Sequence, residues 1–192
     1  MSAKHQSAIE ELPAPTAPVG SPLAHSSQPA REAVQDGTTF TRPEQIRENA
    51  HYIVKDSNSR IVSYDNRGHA PWYWAWIGRN VPNDKVCRID LVPMGSGNIV
   101  RMTIQHPDSR RLHLFADNLS DGSFLFWGLP SYVDRYALVL VTLEREENDL
   151  VSFKWVNSGR TMFVGSKEHF TDDWLIASTN LSHKLKFSLK SE

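Results

Sequence analysis

From His51 onward, apolar and polar residues alternate along most of the chain, and the alternation comes in three matching phrases. They read HYIVKDSNSRIVSY from His51, IVRMTIQHPDSRRLHLF from Ile99 and LVSFKWVNSGRTMFVG from Leu150. In each, a strand pattern enters a short polar turn and resumes after an arginine. The arginines are Arg60, Arg110 and Arg160, two steps of 50 residues. Period-two alternation puts successive side chains on opposite faces, so each phrase predicts a hairpin of half-buried strands.

Aligning the copies on these arginines predicts four strands in each. The first precedes the turn and carries Tyr52/Val54, Met102/Ile104 and Phe153/Trp155. The second follows it with Val62/Tyr64, Leu112/Leu114 and Met162/Val164. The third carries Trp74/Trp76, Phe124/Phe126 and Trp174/Ile176, and this equivalence predicts that these six residues are core. The fourth is Cys87/Ile89/Leu91, then Leu138/Leu140 or their neighbours, then Leu185/Phe187/Leu189. Its spacing varies, which places insertions in the connections before it, Gly78–Lys85 and Leu129–Arg135 among them. Turn clusters such as Asp65-Asn66-Arg67-Gly68 and Asp117-Asn118-Leu119-Ser120-Asp121-Gly122 close the hairpins.

Three copies of a four-strand unit of about 50 residues restrict the fold. A propeller needs at least ~4 blades, and an immunoglobulin-like sandwich has no threefold repeat. The pattern resembles a β-trefoil, in which twelve strands form a six-stranded barrel capped by three hairpins. The phrase VNSGRTMFVG is similar to one found in ricin-B-like lectins, fascin-like domains and fibroblast-growth-factor-like cytokines. That resemblance implies an all-β domain over residues 46–192 that acts by binding. The Gln-x-Trp of ricin-B-like lectins is missing from all three fourth strands. Their sugar-holding aspartate is replaced at the matching positions by Ser63, His113 and Phe163.

Residues 1–45 break the pattern. Six of the eleven prolines lie in the first 43 residues, among Ser, Ala and Gln, with isolated apolar residues and no periodicity. Such a composition predicts a disordered Pro/Ser/Ala-rich tail, because it buries too little to offset ordering entropy. The segment holds three basic and five acidic side chains against a whole-chain charge of −1, which leaves residues 46–192 near +1. Nucleic acid and anionic membranes demand clustered positive charge, so neither is an expected partner. One cysteine, Cys87, rules out an internal disulfide. No run approaches the ~20 apolar residues of a membrane span, and no apolar signal core opens the chain. The expected location is cytoplasmic, or exported without a classical signal peptide, with the protein a monomer.

Candidate chemistry is sparse. Cys87 shares parity with Ile89 and Leu91 and is expected to be buried. The histidines, His106 and His113 among them, lack metal-type spacing and are expected at the surface. Glu144, Glu146, Glu147 and Asp149 read as a solvated turn. No cofactor, metal or catalytic group is expected.

Subtracting the repeat leaves three aromatics without packing equivalents. Trp72 aligns with Gly122 and Asp172, Tyr73 with Ser123 and Asp173, and Trp127 with Ile77 and Ala177. Rigid aromatic faces beside hydrogen-bonding side chains suit stacking on a sugar ring or a protein hot spot. The candidate ligand site is therefore Trp72, Tyr73 and Trp127 with Asp65, Asn66, Asp117 and Asn118. The expected function is lectin-like carbohydrate recognition by a non-catalytic module. The alternative is a protein ligand held by exposed loops, as in an inhibitor, a cytokine-like ligand or an effector.

Overall fold

The structure is a computed structural model that describes residues 39–40, 50–65, 72–95, 98–169 and 172–192. The expected tail over residues 1–45 therefore lies almost wholly outside the described residues, as does the candidate Asn66. Fourteen strands lie among the described residues. They are β1 (Thr39–Phe40), β2 (His51–Asp56), β3 (Ile61–Asp65), β4 (Tyr73–Gly78), β5 (Arg88–Pro93), β6 (Ile99–Gln105) and β7 (Arg111–Ala116). There follow β8 (Ser123–Gly128), β9 (Ala137–Leu138), β10 (Leu140–Arg145), β11 (Val151–Trp155), β12 (Met162–His169), β13 (Asp172–Ser178) and β14 (Phe187–Ser191). Short 3-10 turns at Asn83–Lys85, Pro130–Asp134, Glu147–Asp149 and Leu181–His183 fill the connections.

The alternating segments do form strands where the pattern places them, but the expected β-trefoil is corrected. The fold is all-β, a closed antiparallel barrel of ten strands with extra strands. The closed circuit runs β2, β3, β4, β13, β8, β7, β6, β10, β11 and β14, then back to β2 through five residue pairs from Phe187↔Asp56 to Ser191↔Tyr52. Of the extra strands, β5 bridges β2 and β6, and β12 bridges β11 and β13. The short strands β1 and β9 lie on β14 and β7. The physical reason is that a repeat fixes local hairpins and leaves open how hairpins pair with each other. Here the hairpin strands β3, β4, β7, β8 and β13 belong to the circuit itself, and the copies differ in β9 and in the length of β12.

The interior is filled by alternate residues of every long strand, including Tyr52, Val54, Ile89, Met102, Leu114, Phe153 and Leu189. Cys87 is buried among them, and burial pushes its thiol well above the ordinary range. On β4, β8 and β13 the barrel interior takes the other parity from the expected one; of the six residues expected in the core, Phe126, Trp174 and Ile176 are buried and Trp74, Trp76 and Phe124 are only partly so. The core takes Ala75 and Ile77, Leu125 and Trp127, Leu175 and Ala177. Trp74, Phe124 and Trp174 sit on the opposite face and pack edge-to-face on one another, with centroids 5.4–6.3 Å apart. Both faces of these strands are covered, so alternation does not distinguish them.

The turn before each anchoring arginine is built the same way. Ser59 (φ 62°), Ser109 (φ 69°) and Gly159 (φ 72°) adopt the left-handed conformation that reverses the chain. In the first copy the buried Asp56 carboxylate accepts from the Asn58 and Arg60 amides at 3.0 and 2.8 Å and from Arg60 Nε at 2.7 Å. Asp108 does this work in the second, and the Ser158 hydroxyl does it in the third. No helix among the described residues is long and apolar enough to cross a membrane.

Candidate functional site

Trp72 and Tyr73 are neighbours in sequence and part company in space. Trp72 enters a half-buried aromatic cluster with Trp74, Phe126 and Tyr136, at centroid distances of 6.1, 5.4 and 5.2 Å. Tyr73, the first residue of β4, points to the other face. Its ring lies 4.6 Å from His106 and 5.8 Å from Tyr64, and its hydroxyl accepts from the Arg110 guanidinium at 3.5 Å.

Of the remaining candidates only Trp127 is brought beside this pair, opposite Tyr73 across the β4–β8 ladder, and it faces the core. Trp127 is 1% exposed, its indole against Cys87. Asp65 ends β3 opposite Trp74 and is partly exposed. Asp117 and Asn118 are exposed in the β7–β8 turn, where the Asn118 side-chain oxygen accepts from the Ser120 amide at 2.8 Å and from the Ser120 and Ser123 hydroxyls. Asn118 thus closes its own turn. Asp121 in the same turn ties it to the end of β13, accepting from the Thr179 amide at 2.6 Å and the Ser178 hydroxyl at 2.9 Å. These bonds lower its pKa.

What Tyr73 does meet is the turn between β6 and β7. His106 Nδ1 lies 2.7 Å from Asp108, and Arg110 Nε donates to the same carboxylate at 2.7 Å. The Arg110 guanidinium beside Asp108, helped by His106, holds that carboxyl far below the usual range. Asp108 in turn raises Arg110. The result is a shelf with an aromatic floor of Tyr73 and His106 and a rim bearing an oriented guanidinium and a carboxylate. Behind it, Tyr64 donates to the Asp84 carbonyl at 2.9 Å, and the Lys85 ammonium stands 5.7 Å over its ring. That anchors one long connection, Gly78–Lys85, to the barrel. Arg110 stood out in sequence only as the anchor of the repeat and His106 only as a turn histidine, because the sequence of a turn does not show which way its side chains face. The only signal was the pairing of Asp108 with the anchoring arginine.

Two expectations about charged groups change. His113 is buried, not at the surface, and burial followed by Arg101 and Arg111 lowers its pKa to about 4. Glu146 is no solvated turn residue. It accepts from Lys184 Nζ at 2.5 Å and the Ser152 hydroxyl at 2.8 Å, which keeps it ionised to lower pH. Among the described residues, the gap inside the core is lined by Val54, Ile89, Met102, Trp127, Phe153 and other apolar residues.

No family model and no curated protein matches the chain. Among solved structures, it is similar to the lysenin pore, with a TM-score of 0.53, 12% identity, and coverage of 83% of this chain and 50% of that one. It is also similar to type II water soluble Chl binding proteins, with a TM-score of 0.54, 10% identity, and coverage of 77% of this chain and 93% of that one. The chain thus spans half the length of the lysenin pore chain. At these identities the likeness is one of fold alone. Together with the ten-strand circuit, these neighbours correct the kinship with ricin-B-like, fascin-like and growth-factor-like trefoils that the phrase VNSGRTMFVG suggested.

Proposed function

We propose that this protein is a non-catalytic binding module that takes a sugar ring on the shelf of Tyr73, His106, Asp108 and Arg110. The observation that carries the reading is the Tyr73–His106 contact at 4.6 Å with the Arg110–Asp108 pair fixed at its edge. An apolar sugar face stacks on aromatic rings while its hydroxyls exchange hydrogen bonds with charged groups that are already oriented. Fixing those groups beforehand lowers the ordering cost of binding. Trp72 serves the fold instead, since three aromatic partners occupy its surroundings.

The test is a glycan array followed by titration of the best hit. Tyr73→Ala and Arg110→Met should each weaken binding by about ten-fold or more, the value of a stacking contact or a charged hydrogen bond. Trp72→Ala should lower the melting temperature, and its folded fraction should bind as wild type. Wild-type affinity in Tyr73→Ala would sink the shelf. A protein ligand is the second reading, favoured by Val133, 51% exposed on the 3-10 turn Pro130–Asp134. A pull-down that survives excess free sugar and fails in Val133→Asp would select it.

A further inference from the structure

Four neighbouring strands carry a polar row on the outer face of the barrel. His51 on β2 stands opposite Asp90 on β5, Asp90 opposite Thr103 on β6, and Thr103 opposite His113 on β7. These positions alternate with the core residues Tyr52, Ile89, Met102 and Leu112, so their side chains leave the sheet on the far side from the core. Outward-facing polar residues are ordinarily solvated. Three of the four are not: Asp90 is 7% exposed, Thr103 0% and His113 7%, while His51 at the end of the row is exposed.

One end of the row is satisfied. Asp90 has His51 Nδ1 at 2.5 Å on one oxygen and the Arg111 guanidinium at 3.5 Å on the other. The other end is not. The Thr103 hydroxyl and Arg101 Nε are both buried without a hydrogen-bond partner. His113 makes no hydrogen bond among the described residues, and its ring stacks on Phe115 at 6.5 Å. Arg101 and Thr103 are two apart on β6 and share this face, as do Arg111 and His113 on β7. Buried donors left unpaired carry their full desolvation penalty, and native proteins tolerate few of them. Two together, one belonging to a guanidinium, call for an acceptor with negative charge.

We propose that Arg101, Thr103 and His113, with Arg111 at the rim, form a binding site for a small tetrahedral oxyanion, a phosphate or sulfate group. The guanidinium supplies the charge-assisted donor suited to such an anion, and the hydroxyl adds a neutral one. The one carboxylate in the row does not compete, because His51 and Arg111 already hold Asp90. The imidazole becomes a further donor once the anion makes protonation favourable. The groups facing His113 are Arg101 from β6, Arg111 from β7 and, one strand further, Asp90 with its partner His51, so an added anion is the change that moves its titration upward.

The experiment follows the imidazole resonances of the whole protein by nitrogen-15 NMR during titration with inorganic phosphate. Sodium sulfate and acetate are separate arms, and sodium chloride at matched ionic strength is the control. Phosphate or sulfate should shift His113 saturably and raise its titration midpoint, and acetate should bind markedly more weakly. Thr103→Val, nearly isosteric, and Arg101→Met should each weaken phosphate binding by about ten-fold. A His113 response no greater than chloride gives would mean that water alone fills the site, and would overturn the proposal. So would acetate binding as tightly as phosphate. Wild-type phosphate affinity in both variants would likewise overturn it.

Discussion

At the scale of single residues, the turn before each anchoring arginine shows what a repeat can and cannot reveal. The register Arg60, Arg110, Arg160 was legible, and its cause is now visible: the preceding residue is left-handed in all three copies. Nothing in the sequence disclosed that two of these residues are serines under strain, because serine, unlike glycine, does not advertise a positive φ. Gly159 has open space around a hypothetical Cβ, so a methyl group there meets no clash. Gly159→Ala should therefore cost only the conformational penalty, about 1–2 kcal/mol. Ser109→Gly should be neutral to slightly stabilising, since relief of strain is offset by extra freedom in the unfolded chain. Urea denaturation of both variants checks this. A neutral Gly159→Ala together with a destabilised Ser109→Gly would show that the left-handed turn is not what fixes the register. The site residues were less legible than the turns. Tyr73 stood out as an aromatic without a packing equivalent, while its neighbours His106 and Arg110 lie in a turn whose direction only the folded hairpin determines.

At the scale of elements, strand positions could be read and strand faces could not always be. Where one face is open to solvent, as at Ser188 and Lys190 of β14, alternation identified the buried residues Phe187 and Leu189. The pattern failed on β4, β8 and β13, which carry large residues on both faces. A doubly covered strand reads as a nearly continuous apolar run, and the threefold match of Trp74, Phe124 and Trp174 then pointed to the wrong face. Trp127, offered by that reasoning as a ligand residue, is among the largest fully buried side chains. Trp127→Ala should cost about 3–5 kcal/mol, as a large aromatic truncation in a filled core does. Phe124→Ala, on a partly exposed ring in the outer aromatic cluster, should cost less than half of that. Denaturant midpoints of the two variants compare them directly. Equal losses would place the barrel core on the opposite face of β8.

At the scale of the whole molecule, what the sequence lacked was any statement of which hairpin meets which, since long-range pairing leaves no local periodicity. Closure depends on β14, the last strand. It pairs with β2 over five residues, with β11 at Val151↔Phe187 and with the short β1. Phe187 and Leu189 are essentially fully buried, and the Glu192 amide donates to the His51 carbonyl at 2.9 Å. Without this strand the barrel opens between β2 and β11, leaving two unpaired edges and an uncovered core. Truncation before Phe187 should therefore abolish the cooperative unfolding transition rather than merely shift it, and should produce binding of a hydrophobic dye. A synthetic peptide spanning Leu185 to Glu192, added in trans, should restore the transition. Its backbone can complete both ladders, and its apolar side chains can refill the core. The measurement is a urea titration followed by tryptophan fluorescence, with and without peptide. The opposing outcome is cooperative unfolding of the truncated chain at a midpoint close to that of the full chain. In that case the remaining strands close on their own, and β14 is an added strand and not a member of the circuit.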